Sequence, residues 1–195
     1  MSGKGDRTRE TLVAATAELL QRQGYHATGL REIVAESGAP RGSLYFHFPG
    51  GKDELACAAL AASGAAWRQR IEAVVAAAPD LSAAVMRVCE LLADDLAASG
   101  YTRGCPVAAV ALENPAPVVR DSIAEHYAAW TAAIAARAGS KDIATLVLAA
   151  IEGALLMAKA LRSKEPVLTV GRMLGWLSSP APGSSPRGRP RRTRR

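Results

Sequence analysis

The chain has few cysteines and few aromatic residues, and both shortages exclude classes of protein. Its three cysteines, Cys57, Cys89 and Cys105, are widely spaced and include no CxxC pair. This pattern argues against a metal site and a disulfide framework, and it favours buried thiols in a reducing compartment. No nucleophile, base and acid lie at a spacing that predicts catalysis. We therefore expect no enzyme, no metal and no cofactor.

Strand-like segments are also missing. No run rich in Val, Ile, Thr and Tyr alternates with polar residues between turn signals. Hydrophobic residues make up 49% of the 195-residue chain, aromatic residues only 5%, and alanine dominates the middle. Because alanine loses no side-chain entropy in a helix, this composition favours helices. We expect an all-α protein of about nine helices.

No segment predicts a membrane span or a secretory signal. The most apolar stretch, 143–158, is interrupted by Glu152 and bounded by Asp142 and Lys159. It is too short and too charged to cross a bilayer and is typical of a buried helix. The first ten residues are polar and charged. The expectation is a soluble, cytoplasmic protein with no membrane partner.

The net charge of +6 is concentrated at one end of the chain. Of 24 lysines and arginines, six are arginines within the last nine residues, which leaves 18 basic residues to balance 18 acidic ones. The basic isoelectric point therefore describes a tail, and a nucleic-acid site in the body must be argued from local residues. The Pro/Gly/Ser/Arg-rich segment 179–195 is predicted to be disordered and to add at most a salt-sensitive attraction for phosphates.

Apolar spacing, capping residues and Gly or Pro stops predict the helices. Gly24 ends the first helix, Thr28 caps the second, and Pro40 opens the third at its first turn. The predicted ranges are 6–23, a short helix after residue 28, 40–48, 52–78, 81–99, 106–113, 117–138, 141–163 and 166–177. They imply a head over 1–51, a larger helical domain over 52–178 and the tail.

The second and third helices, with Ser37-Gly38-Ala39 between them, have the form of a DNA-reading helix-turn-helix. In the third helix Leu44 and Phe48 are four residues apart and are expected to face inward. The remaining polar side chains are then free for DNA, and a glycine allows close approach to the duplex. The predicted DNA contacts are Thr28, Arg41, Gly42, Ser43, Tyr45, His47 and Lys52.

At these residues the chain resembles the TetR family of repressors. The resemblance covers GYHATGLREIVAESGAPRGSLYFHFPGGKDEL, from Gly24 to Leu55, with the G-S-L-Y-x-H-F segment and the following lysine. Pro49-Gly50-Gly51 makes the link to Lys52 one residue longer than in many members. Together with segment 102–107, it is similar to the Bacillus multidrug- and flavonoid-responsive subgroup. The resemblance implies a DNA-binding head followed by a ligand-binding, dimer-forming helical domain.

Two sets of residues are predicted for that second domain. Apolar or unusual side chains on the long helices are candidates for a ligand pocket, although core packing is the simpler reading for each one alone. They are Trp67, Met86, Cys105, Val107, Glu113, Tyr127, Trp130, Glu152 and Met157. The apolar faces of the last two helices are candidates for a four-helix dimer interface. They are Ile143, Leu146, Val147, Ala150, Gly153, Ala154, Met157, Leu161, Val167, Val170, Met173, Leu174 and Leu177.

The sequence thus predicts a homodimeric transcriptional repressor that binds double-stranded DNA. It would bind a palindromic operator and be released by a small apolar or aromatic effector. The helix that begins at Lys52 would transmit the conformational change between the ligand site and the DNA-binding head. Two alternatives stay open: a helical enzyme or carrier without DNA function, and an activator or nucleoid-binding protein with the same head.

Overall fold

The computed structural model describes residues 4–178, and in that range the protein consists of helices and the turns between them. The predicted all-α class is confirmed. The nine helices are α1 (Lys4–Ala27), α2 (Leu30–Ser37), α3 (Arg41–His47), α4 (Gly51–Ala76), α5 (Leu81–Ala98), α6 (Pro106–Ala111), α7 (Pro117–Ala138), α8 (Lys141–Leu161) and α9 (Glu165–Ser178). The predicted disordered tail, 179–195, lies outside the described residues.

Local signals explain most of the helix ends. Gly24, at φ +80°, interrupts α1, and Gly38 ends α2 in the left-handed conformation, which glycine adopts without a steric penalty. Asp80 and Ser140 cap α5 and α8 by accepting hydrogen bonds from the backbone N–H groups three residues on. The stop predicted at Gly24 is confirmed.

Two predicted caps are wrong. Gly29, not Thr28, is the N-cap of α2, because the Thr28 hydroxyl turns inward and donates to the Gly24 carbonyl at 2.6 Å. Pro40 is the N-cap of α3 and not a residue of its first turn, since its extended backbone lies outside the helix. Both corrections shift a helix start by a single position, and they leave a three-residue turn, 38–40, between α2 and α3.

Two hydrophobic clusters form the interior. The first joins the head to the first half of α4, to α6 and to α7, and includes Leu12, Ile33, Leu44, Phe48, Leu60 and Val110. The second joins α5, α8 and α9, and includes Cys89, Leu96, Leu155 and Val167. The Cys105 side chain packs against both clusters. The first cluster continues across residue 51, so the head packs directly on the helices behind it.

By length and composition alone, α8 is apolar enough to cross a membrane. In the fold it packs against α5, α7 and α9, and most of its apolar surface is not buried within the chain. The helix therefore has one face in the core and a second apolar face that a single copy leaves exposed.

Candidate nucleic-acid interface and ligand cavity

The third helix is held by two buried side chains and presents the others outward. Leu44 and Phe48 are each 1% exposed, and the Arg9 guanidinium lies 5.2 Å from the centroid of the Phe48 ring. On the opposite side Tyr45 is 52% exposed and Phe46 is 82% exposed. This spacing places the helix as a ridge on the surface of the head, which is the geometry that a major-groove reader needs.

Most of the predicted DNA contacts lie on this ridge. Arg41 and Gly42 are exposed, and Ser43 and His47 are half-buried. A Cβ added at Gly42 would meet no atom of residues 4–178 within 4 Å. Since Gly42 is an ordinary helical residue without a positive φ, none of the residues that the structure describes requires a glycine there.

Two predicted contacts lie elsewhere. Thr28 is 1% exposed and its hydroxyl is already bonded to Gly24, so the prediction that this hydroxyl contacts a phosphate is wrong for this conformation. The Lys52 ammonium lies 3.5 Å from the His26 carbonyl oxygen and 4.3 Å from the centroid of the Tyr25 ring. Burial lowers the Lys52 pKa. In this structure Lys52 therefore stabilises the corner between α1 and α2.

Phe46 is a surface residue that the sequence analysis missed. It is the most exposed large hydrophobic side chain among the described residues and meets the His47 ring edge-on at 5.0 Å. The available signal was its position, two residues from both Leu44 and Phe48, which turns it away from the core. An apolar ring on a groove-facing ridge is suited to contact with sugars or thymine methyl groups.

The corner between α1 and α2 also contacts a distant segment. The Glu113 carboxylate accepts a hydrogen bond from the His26 backbone N–H at 2.6 Å, and the His26 ring Nε2 lies 2.8 Å from the Glu113 carbonyl oxygen. Beside them, the Tyr25 hydroxyl donates to Asp53, and burial together with this bond raises the Tyr25 pKa to about 12. The segment after α6 is thus tied to the head by polar contacts.

A cavity of about 410 Å³ lies between the long helices. Such a volume is typical of sites for small organic ligands. Its apolar lining comes from α4, α5, α7 and α8 and from the segment before and at the start of α6. Five of the predicted pocket residues line it: Trp67, Cys105, Val107, Trp130 and Glu152. Tyr127 lines an adjacent depression between α7 and α8, which Glu152 also borders.

Three predicted pocket residues do not line this cavity. The Met86 sulfur lies beside Gly171, where α5 packs on α9. Glu113 is engaged at the corner of the head. Met157 is 56% exposed on α8. Met86 instead packs between helices, Glu113 makes polar contacts with His26, and Met157 lies on the exposed face of α8.

The predicted dimer residues divide into exposed and buried sets. Exposed apolar side chains on α8 and α9 include Leu146, Met157, Leu161, Met173 and Leu177, and Leu156 and Trp176, which were not predicted, join them. Ile143 is 49% exposed at the cavity lining, Gly153 is exposed, Val147 is half-buried and lines the cavity, and Ala150 and Val170 are half-buried. Ala154, Val167 and Leu174 are buried within the chain, so their assignment to a surface open to a second copy is wrong.

Sequence comparisons agree with this geometry. Residues 12–59 match the family model described as bacterial regulatory proteins, tetR family. Residues 82–173 match the model described as transcriptional regulator LmrA/YxaF-like, C-terminal domain. The HTH-type transcriptional regulator LmrA of Bacillus subtilis is 32% identical over 173 residues, which cover 84% of this chain and 92% of the relative. The chain belongs to the TetR family.

A second relative supports this TetR-family membership, and a solved structure shares the fold. The uncharacterized HTH-type regulator YxaF of Bacillus subtilis is 31% identical over 184 residues, covering 89% of this chain and 96% of the relative. A TetR regulatory protein from Rhodobacter sphaeroides superposes with a TM-score of 0.76 at 21% identity, covering 87% and 97% of the two chains. The predicted likeness to Bacillus members is confirmed. The protein is a transcriptional regulator whose N-terminal helix-turn-helix binds DNA, and its relatives are transcriptional regulators.

Proposed function

We propose that the protein is a one-component repressor that binds a palindromic operator as a homodimer and leaves it when a small apolar or aromatic ligand enters the cavity. The observation that carries the proposal is the presence, in one chain, of an exposed recognition ridge on α3 and a 410 Å³ apolar cavity behind it. We further propose that it acts in the cytoplasm, where the chromosome is accessible. Family membership does not favour an enzyme or carrier without DNA function.

The DNA contacts are assigned by chemistry and exposure. Arg41 supplies a guanidinium for a guanine edge or a phosphate, and the Tyr45 hydroxyl, the Ser43 hydroxyl and the His47 ring supply donors for phosphates. Phe46 adds an apolar contact. Gly42 lets the helix backbone approach the duplex closely. Lys52 keeps the α1–α2 corner in place beside the ridge.

A dimer is supported by the exposed apolar face of α8 and α9. One recognition helix covers few base pairs, so two heads related by a two-fold axis are needed to read a palindrome. Met157, Leu161, Met173 and Trp176 are each more than half exposed in the single chain. An apolar surface of this kind is typical of an interface between copies. Helix α8 is apolar enough by composition to cross a membrane. In the proposed dimer, the second subunit covers its exposed apolar face.

The cavity and the head are linked along two routes. Helix α4 begins directly behind the head and lines the cavity with Trp67, Ile71 and Val75. The second route starts at Cys105 in the cavity wall, runs through α6, and ends where Glu113 meets His26. A ligand that prefers a different arrangement of these helices shifts the spacing of the two heads by its differential affinity.

The test is a gel-shift titration with DNA from upstream of the protein's own gene, against a scrambled fragment of equal length and at low salt. The proposal predicts retention of the upstream fragment at protein concentrations that leave the scrambled one free. The Arg41→Ala and Tyr45→Ala variants are expected to lose this retention and remain dimeric. Equal, strongly salt-dependent retention of both fragments would overturn the repressor assignment.

A further inference from the structure

The carboxyl group of Glu152 has an unmet bonding requirement in the cavity wall. Among the described residues, its Oε2 atom is the buried side-chain oxygen or nitrogen that has no hydrogen-bond partner. Cys105 lies beside the same carboxyl group, and burial raises the Glu152 pKa. The residue lines the cavity, so a ligand there can supply the hydrogen-bond donor that the protein does not.

The other charged residues of the lining are already neutralised or hydrated. Asp95 pairs with Arg70 at 2.9 Å, and Arg103 pairs with Glu18 at 3.2 Å. The side chains of Arg68, Glu72 and Arg137 are exposed to solvent. Within the described part of the chain no basic side chain pairs with Glu152. The buried part of the cavity therefore carries one acidic group without a counter-charge.

Aromatic rings line the same cavity as this acidic group. Trp67 and Trp130 line the cavity, and Tyr127 meets Trp130 edge-on with the ring centroids 5.7 Å apart. The Arg70 guanidinium already lies 4.2 Å from the centroid of the Trp67 ring. Aromatic faces attract cations, and a carboxylate beside them supplies the counter-charge and a hydrogen-bond acceptor.

We propose that the effector is an apolar, aromatic molecule carrying one protonated amine, and that this amine binds the carboxyl group of Glu152. The proposal rests on the proposed effector function of the cavity and names its ligand class. A neutral ligand would leave the ionised form of this carboxyl group without a counter-charge, and an anionic ligand would be repelled by that form. An amine satisfies the acceptor and the charge together.

The test uses three probes that share one aromatic body: 1-pyrenemethylamine, 1-pyrenemethanol and 1-pyrenecarboxylate. Binding to the full-length protein is measured through the tryptophan and pyrene fluorescence. We expect the amine to bind about tenfold more tightly than the alcohol, or better, and the carboxylate to bind most weakly. Glu152→Gln is expected to remove the preference for the amine while leaving the affinity for the alcohol unchanged.

The matched control is Glu72→Gln, because Glu72 lines the same cavity but is exposed. This variant is expected to keep the preference for the amine. Alcohol binding by Glu152→Gln shows that the cavity of that variant is intact. Equal affinities for amine and alcohol in the unsubstituted protein overturn the proposal, as does a preference that survives Glu152→Gln, or no binding of any probe.

Operator retention, measured on the same samples, separates this proposal from the proposed function. If the protein retains the operator and shows no amine preference, the ligand class is wrong and the repressor assignment stands. If the protein retains no operator, the repressor assignment is wrong whatever the probes do.

Discussion

The carboxylate of Glu113 occupies the space that a side chain at position 24 would fill. A Cβ placed on Gly24 would overlap the Glu113 Oε1 and Cδ atoms, and Gly24 has a φ of +80°. Two independent features thus require glycine at position 24, where the regular part of α1 ends. They are a left-handed backbone and the close approach of a segment that follows α6. At this point the DNA-binding head meets the route from the cavity.

Replacing Gly24 with alanine is expected to destabilise the protein. The variant must accommodate both an unfavourable φ and the overlap with Glu113, and we expect a loss of about 1–3 kcal/mol in the free energy of unfolding. Urea denaturation followed by circular dichroism measures it. Gly29→Ala is the control, because Gly29 has a φ of −102° and its Cβ would meet no atom of the described residues within 4 Å. A loss of equal size in both variants would contradict the assignment.

Replacing Glu113 with alanine is expected to loosen the corner of the head. The His26 backbone N–H loses its acceptor, so its exchange with solvent should accelerate, and the unfolding free energy should fall by about 1 kcal/mol. Hydrogen-exchange mass spectrometry of the peptide containing residues 24–29 gives the readout. Glu125→Ala, at an exposed position of α7, is the control. Unchanged exchange at the corner would show that Glu113 does not hold it.

How much of this could be predicted depends on the range of the contact. The helix-turn-helix was predictable because its signals are local: a glycine stop, a three-residue turn, and Leu44 four residues before Phe48. The contact between His26 and Glu113 joins residues 87 positions apart. Nothing in the local pattern around Glu113 distinguishes it from a glutamate facing a ligand, and the sequence therefore predicts it for the pocket.

The division of α8 and α9 was unpredictable for a different reason. Apolar residues cover more than one face of α8, so the amphipathic pattern of this helix is weak. The helical period therefore does not tell which face is covered by the same chain. Ala154 is buried, whereas Met157, three residues later, is 56% exposed. Tertiary packing against α5 and α9 decides which face is core.

Placing a charge on the exposed face of α8 and α9 is expected to separate the proposed dimer. Met157→Glu and Met173→Glu each put an unpaired carboxylate into an apolar interface, and we expect the dissociation constant of the dimer to rise about a hundredfold. Analytical ultracentrifugation measures it. The control is Val118→Glu, since Val118 is 56% exposed at the start of α7. If both methionine variants sediment as the unsubstituted protein does, the interface lies elsewhere.

The stability of the protein is expected to depend on pH through Glu152. Burial raises the Glu152 pKa above its ordinary value of 4.5, so between these two values the folded state binds more protons than the unfolded state. The contribution of this group to stability therefore falls as the pH rises above 4.5. Tyr127 and Cys105, which face Glu152, have raised pKa values of their own and stay neutral in this range.

Glu152→Gln removes that titration. The free energy of unfolding of the variant should exceed that of the unsubstituted protein by an amount that grows as the pH rises from 5 toward the folded-state pKa. Thermal denaturation at several pH values measures the difference. A difference that stays constant with pH would mean that the carboxyl group is not perturbed in the folded protein.

Replacing Gly42 with alanine is expected to have opposite effects on folding and on DNA binding. Gly42 lies in the regular part of α3, and a Cβ there would meet no atom of the described residues within 4 Å, so alanine should raise the free energy of unfolding by about 0.4–1 kcal/mol. The same methyl group would stand between the recognition helix and the duplex, and operator binding should weaken. Urea denaturation and operator titration on one preparation measure both quantities. A variant that is more stable and binds the operator unchanged would show that the close approach of α3 to DNA does not occur at this residue.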